Sequence, residues 1–375
     1  FVDSQENTST INKKEEELRR LFYVGITRAA THLYISYPVF SNEGKNLEPS
    51  MFIAEISDKH PEIVSQSVSF TAEEIFDFQA LQFLEQTPQI EPAEEEFISA
   101  LLEKFSMNVT ALNNYLKCPL QFYYQNLIRI PSGKNEATEF GSAVHYALEK
   151  LFRNMQDAGK EVFPPKEEML ANFSWYLKKH RENFTKEAFD RRMEYGNEVL
   201  TNYYNKYINT WNKVVAVERN IRAVVVNGIP LKGKLDKLEF NGNRVNVVDY
   251  KTGDIDKAKN KLKAPNDKDP NGGDYWRQAI FYKLLIDNYK VKDWRVESTE
   301  FDFIEPDKNK VYHKQKIAIT PQDVETVEQQ VTETWKKIQN REFYTGCGKP
   351  ECYWCNFVKE NKLQKARYEH EEQEE

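Results

Sequence analysis

The sequence predicts an α/β chain built on one mixed sheet flanked by helices. Three observations predict it. A zone of helical periodicity at 166–212 is followed directly by three runs of strand character, 214–226, 229–240 and 243–251. The last two flank Asn241-Gly242, the strongest short-range hairpin signal. Helical and extended patterns then alternate: a helix at 275–289, strands at 295–304 and 310–319, and a helix at 321–340.

The elements before the sheet follow in order. Residues 12–30 (NKKEEELRRLFYVGITRAA) read as a charged helix running into an apolar stretch. Residues 31–38 (THLYISYP) read as a strand ended by Pro38, and residues 48–57 (EPSMFIAEIS) as a short helix. The acidic, proline-containing stretch 58–98 has only short helical patterns and reads as a linker region. Residues 108–128 (NVTALNNYLKCPLQFYYQNLI) predict a helix capped by Asn108 or Thr110. In 139–152 (EFGSAVHYALEKLF), the apolar residues at 144, 148, 151 and 152 form one helix face. No internal repeat is visible.

At 375 residues the chain is long enough for two or three domains and a sizeable core. It begins at Phe1, not Met, as expected of a piece of a longer protein. No signal peptide and no apolar run long enough to span a membrane is present, so a cytoplasmic location is expected. The net charge of −7 does not advertise a nucleic-acid binder. Charge is unevenly placed, however: residues 91–97 and the tail HEEQEE are acidic, whereas 251–263 (KTGDIDKAKNKLK) carry five lysines against two aspartates. Such a local patch either tracks phosphates or is a solvated loop. Aromatic residues, 13% of the chain, are mostly core, with some available to stack on unpaired bases.

The hairpin carries the chemistry. If Phe240 pairs with Asn243, one face presents Asp236, Leu238, Phe240, Asn243, Val245, Val247, Asp249 and Lys251. Asp236 then lies opposite Val247, with Asp249 one diagonal step further. Two carboxylates and an ammonium among valines and leucines are either strand-end charges in solvent or a site for a divalent cation. A half-buried carboxylate pair is costly without a counter-charge. Mg²⁺ or Mn²⁺, which take oxygen ligands, would supply it, and Lys251 would orient or activate a water beside the ion.

Two resemblances extend this reading. The segment EEELRRLFYVGITRAATHLYISYP resembles the last motif of UvrD/Rep-type DNA helicases, and EPSMFIAEI resembles the stretch that follows it, with Met51 in place of the usual arginine. The likeness covers about residues 12–57 and implies that Arg28 matches the arginine that reaches the ATP γ-phosphate in those motors. The chain has no GxxxxGK(S/T) phosphate loop, so Arg28 would act only with the missing motor lobes restored; otherwise it is an exposed helix-end arginine.

The remainder, about 108–360, resembles the RecB-like branch of the PD-(D/E)xK nucleases, found at the C-terminus of UvrD-like helicases and in AddB-type subunits. LNNYLKCPLQFYY looks like the first helix of that family. FGSAVHYALE looks like its histidine motif, GKLDKLEF and VVDYKTG like its acidic motifs, and QAIFY like its Q-x-x-x-Y helix. The resemblance implies a restriction-endonuclease-like fold. It implies that His145, Asp236, Asp249 and the Tyr250 carbonyl bind metal, that Asp236, Asp249 and Lys251 are catalytic, and that Gln278 and Tyr282 lie near the active site and DNA. Without it, His145 reads as a structural histidine beside an apolar face, and Gln278 and Tyr282 as an i,i+4 pair. Glu218, at the start of a strand, is left unassigned. The domains expected are a helicase-lobe remnant at 1–60, a linker at 61–98 and the nuclease domain at 99–375.

Cys118 stands far upstream of Cys347, Cys352 and Cys355, a clustering that suggests a metal or iron–sulfur site rather than disulfides. Many members of the resembled family bind a 4Fe–4S cluster through one cysteine before the core and three after it. Here the downstream spacing is C-x4-C-x2-C, and Asn361 stands where a further cysteine would be expected. Zn²⁺ on the same thiolates and free thiols stay open. The activity implied is metal-dependent hydrolysis of DNA, as an exonuclease on single strands fed by a helicase motor, with a partner helicase-nuclease subunit. The rivals are a catalytically silent DNA-binding or scaffolding module and a purely structural extension of the helicase.

Overall fold

The computed structural model describes residues 3–41, 44–63, 65–75, 87–131, 133, 135–159 and 162–365. The acidic tail at 370–375 and part of the expected linker, 76–86, lie outside the described residues. The chain divides into two compact units, Phe1–Leu84 and Glu85–Glu375.

In the first unit, α1 (Asp3–Ile26) and α2 (Met51–Lys59) are joined by the Arg19–Glu55 ion pair and by Phe22 against Phe52, ring centroids 5.6 Å apart. Arg28 is exposed in the turn after α1. Residues 31–38, expected as a strand, have no strand partner among the described residues, so their alternating apolar pattern is not realised as sheet.

In the second unit, α3 (Glu95–Glu103) precedes α4 (Val109–Lys117), whose N-cap is Asn108, its side chain accepting the Ala111 amide. The single helix expected over 108–128 is broken at Cys118, which is extended (φ −164, ψ 120), and restarts as α5 (Pro119–Phe122) and a π-turn at Tyr123–Leu127. Pro119 is the cause: its ring disfavours helical geometry at the residue before it. Then come α6 (Glu136–Asp157), α7 (Lys166–Lys179) and α8 (Lys186–Tyr207).

The sheet runs β1 (Val215–Val226), β2 (Ile229–Asn241), β3 (Arg244–Lys251), β4 (Arg295–Phe303) and β5 (Lys314–Ile317), in that spatial order. All neighbours are antiparallel except β3 and β4, which are parallel. Between β3 and β4 lie the short α9 (Ile255–Ala258) and α10 (Asp274–Asp287); α11 (Pro321–Gln339) and α12 (Tyr353–Glu360) complete the unit.

Each face of the sheet is covered. Leu238, Val245 and Val247 pack with α4, α10, α11 and α12, while Val248 and Tyr250 pack with α6, α7 and α8. Each such side chain stabilises the fold by about 1.5–3 kcal/mol through burial. The hairpin register differs from the expectation. Asn241 pairs with Arg244 and Phe240 with Val245, so the turn is Gly242-Asn243, not Asn241-Gly242. Gly242 takes φ +63, which a glycine-led II′ turn requires at its first central position. The shift moves pairing by two residues and leaves the faces unchanged. Among the described residues, no helix is long and apolar enough to cross a membrane.

Candidate active site

The corrected register tightens the site. The ladder ends at the Lys237–Val248 pair, and its register carried one step further would set Asp236 level with Asp249 instead of diagonal to it. Asp236 Oδ2 accepts the Tyr250 amide at 2.9 Å, and Oδ1 lies 3.3 Å from His145 Nδ1 on α6. Asp249 Oδ1 accepts from Tyr282 Oη at 2.9 Å and Gln278 Nε2 at 2.8 Å, both on α10, and its Oδ2 lies 2.7 Å from Lys251 Nζ. Lys251 in turn donates to Gln278 Oε1 at 3.0 Å and sits 4.4 Å from the centre of the Tyr275 ring. Gln278 and Tyr282 do pair with each other, at 2.6 Å, but the pair converges on Asp249.

A third carboxylate joins them. Donor atoms of His145, Glu218 and Asp236 all lie within 4.8 Å of one another. Glu218 is held by Lys234 and adopts φ +51 within β1. That left-handed backbone costs a non-glycine residue about 1–2 kcal/mol, strain of a kind that collects at functional sites. Sequence reasoning leaves Glu218 unassigned, although VAVERN carries a signal: an acid among valines, the same anomaly that singles out Asp236. These residues line an open cleft of about 520 Å³ with Tyr146, Tyr176 and Thr252 on its walls.

Burial pushes the Asp249 carboxyl up, with Lys251 opposing and Asp236 adding, and the net shift is upward. Burial likewise raises Glu218, against the pull of Lys234. At Asp236 burial also pushes up, but His145, the Tyr250 amide and Lys251 outweigh it and the carboxyl titrates below its usual range. His145 is pulled down by burial and raised more by Asp236, Asp249 and Glu218; Lys251 is raised, Asp249 outweighing burial. The site thus gathers three carboxylates around one imidazole and two ammonium groups, those of Lys251 and Lys234, and its oxygens and imidazole nitrogen make a donor set that suits a hard divalent ion. His145, Glu218 and Asp236 are the residues placed to hold one. Asp249 is turned toward Lys251, Gln278 and Tyr282.

The four cysteines converge elsewhere, on the α4–α5 break and the start of α12, with all four sulfurs within 4.8 Å of one another.

The chain matches the PD-(D/E)XK nuclease superfamily over residues 106–359. It is 21% identical over 310 residues to an ATP-dependent helicase/deoxyribonuclease subunit of Carboxydothermus hydrogenoformans, covering 62% of this chain and 27% of that protein. It is 21% identical over 197 residues to the like-named protein of Clostridium acetobutylicum, covering 38% of this chain and 17% of that one. The chain therefore spans only a minor part of the curated relatives it matches. A crystal structure of a candidate exonuclease from Eubacterium rectale aligns over 72% of this chain and 93% of that one, at 13% identity and a TM-score of 0.43, too low to carry an argument.

Proposed function

The chain belongs to the PD-(D/E)XK nuclease superfamily, and on that premise we propose that it is a Mg²⁺- or Mn²⁺-dependent deoxyribonuclease, cutting single-stranded DNA as the C-terminal part of a cytoplasmic helicase-nuclease. The observation that carries the reading is the convergence of Asp236, Asp249 and Lys251 on one face of the hairpin, with His145 beside them. In this reading His145, Glu218 and Asp236 hold the ion, with Asp249 and the Tyr250 carbonyl as further ligands. When bound, the ion lowers the pKa of a water and neutralises charge on the phosphate. Lys251 holds the attacking water and offsets negative charge developing on the phosphoryl oxygens. Gln278 and Tyr282 fix the orientation of the Asp249 carboxylate, and so of Lys251 through it. Tyr146 and Tyr176, on the cleft walls, are suited to stack on unpaired bases.

The same reading assigns residues 1–60 to the end of a helicase motor lobe, in which Arg28 senses ATP once the other lobes are present. Residues 61–98 are then a linker, and a partner helicase-nuclease subunit completes the machine. The four cysteines form a second metal site that staples the fold.

The test is cleavage of end-labelled single-stranded DNA by the chain in Mn²⁺, beside a Lys251→Ala chain. Parent cutting that falls by about 100-fold or more in the variant is expected. A parent chain that binds Mn²⁺ and DNA without cutting would instead make it a silent binding module.

A further inference from the structure

The sulfur geometry argues for a specific occupant of the cysteine site. Cys118 reaches it from the break that Pro119 imposes, Cys347 from the loop Gly346–Cys347–Gly348, and Cys352 and Cys355 from the N-cap and first turn of α12. Cys118 and Cys347 each place Sγ 3.8 Å from that of Cys355, and no pair of the four exceeds 4.8 Å. All four are free thiols, so disulfide bonding does not explain the approach. A tetrahedral ion with metal–sulfur bonds of about 2.3 Å sets its ligand sulfurs about 3.8 Å apart. In a 4Fe–4S cluster each cysteine binds a different iron, so the body of the cluster holds the sulfurs much further apart. The four-cysteine group fits a single ion and does not fit the cluster.

We infer that Cys118, Cys347, Cys352 and Cys355 bind one Zn²⁺ as a closed structural site. The surroundings are built for thiolates. Backbone amides of Gln121 and Cys347 point at the Cys118 sulfur, and that of Gly348 points at Cys355. Such donors spread the surplus negative charge that four thiolates leave on a doubly charged ion. The loop is equally tight. A Cβ on Gly346 would lie 2.6 Å from Cys355 Sγ, 2.9 Å from Pro88 Cγ and 3.0 Å from Leu120 Cδ1, and Gly348 takes φ +75. Cys118 and Cys355 are fully buried among Phe122, Tyr123, Phe343 and Trp354, Cys347 and Cys352 are half-buried, and four thiolates fill a tetrahedral ion without an open position for a substrate. Binding costs each protonated thiol its proton, released to solvent.

The test uses the whole chain, purified anaerobically from cells supplied with both iron and zinc. The expected result is about one zinc per chain, no acid-labile sulfide and no broad visible absorption. Exchange of that ion for Co²⁺ should bring in thiolate-to-cobalt charge transfer and the strong visible bands of a tetrahedral site. Those bands should persist in Asp236→Asn, which leaves the cysteines untouched, and be lost in Cys352→Ser. If Cys352→Ser does not fold, competition by a chromophoric chelator against the parent chain reads the same site. Iron, with or without sulfide, in place of zinc overturns the inference, as does a metal-free chain with all four thiols reactive.

Discussion

The hairpin site and the cysteine site are both clusters of metal-ligating side chains in one unit, yet they are built on opposite plans. At the hairpin, charged groups stand at the mouth of a cleft, with the His145 side chain 30% exposed and that of Asp236 16%. Each carboxylate has a cationic partner but also lies near another carboxylate, and Glu218 bears backbone strain. At the cysteines, Cys118 and Cys355 are at 0% exposure inside aromatic packing, and Cys347 and Cys352 are half-buried beside them. In the first arrangement Asp236 and Asp249 are paired with His145 and Lys251, while burial still raises Asp249 and Glu218; the second would close a long loop and favour the fold once an ion is bound. A reaction centre needs access and stored charge, a staple needs neither, and the two plans predict opposite responses to metal removal.

The largest difference should appear in stability. Joining Cys118 to Cys347 closes a loop far longer than 100 residues, a constraint worth about 5 kcal/mol on chain entropy. Stripping the cysteine-bound ion with a strong chelator should therefore lower the denaturation midpoint steeply, followed by circular dichroism. Stripping a weakly held Mg²⁺ from the hairpin should barely move it. Equal losses on both treatments would erase the contrast.

Activity should respond the other way. Asp236→Asn keeps the shape of the side chain and removes its charge, and we expect cleavage to fall about 10²–10³-fold, with a lower melting temperature in the metal-free chain because the charge that pairs with His145 is gone. A smaller effect follows at Glu218, whose loss to Gln should weaken Mn²⁺ binding about 10–100-fold by titration calorimetry while relieving repulsion with Asp236. A Glu218→Gln chain that binds Mn²⁺ as the parent does would remove Glu218 from the ligand set.

The two plans are unequally legible in sequence. The strands β1, β2 and β3 read directly, because β-branched runs with turn residues between them leave little alternative. The anomaly of acids among valines marks Asp236 and Asp249. The register does not read, because Asn241, Gly242 and Asn243 offer two adjacent two-residue turns and only backbone geometry chooses between them. The break at Cys118 is legible in Pro119 but is outweighed by helical periodicity on both sides. Spacing groups Cys347, Cys352 and Cys355, and only the family resemblance adds Cys118. Their mutual distances, which decide between ion and cluster, depend on how far apart in space α5 and α12 end, and no local pattern encodes that. Residues 31–38 show the converse: a strand-like pattern that finds no partner strand among the described residues.

The finest probe of the hairpin plan is pH, acting through the His145–Asp236 pair in the metal-free chain. The His145 pKa is raised above its ordinary 6.5, so its contribution to stability is complete below that value and lost as pH climbs through the raised one. The Asp236 pKa is lowered below its ordinary 3.8, so its contribution is complete above that value and lost as pH falls through the depressed one. Metal-free stability from this pair should thus form a plateau between about pH 4 and 6.5. A divalent ion must displace the His145 proton, so its affinity should rise about tenfold per pH unit below the raised pKa and level off above it. Mn²⁺ titrations at about pH 5.5, 6.5 and 7.5 measure the slope. A flat profile would mean that His145 is not a ligand, leaving Glu218 and Asp236 to hold the ion without it. The cysteine site should differ again: burial pushes Cys355 up to about 11, so zinc uptake there should keep strengthening with pH beyond the point where the hairpin levels off.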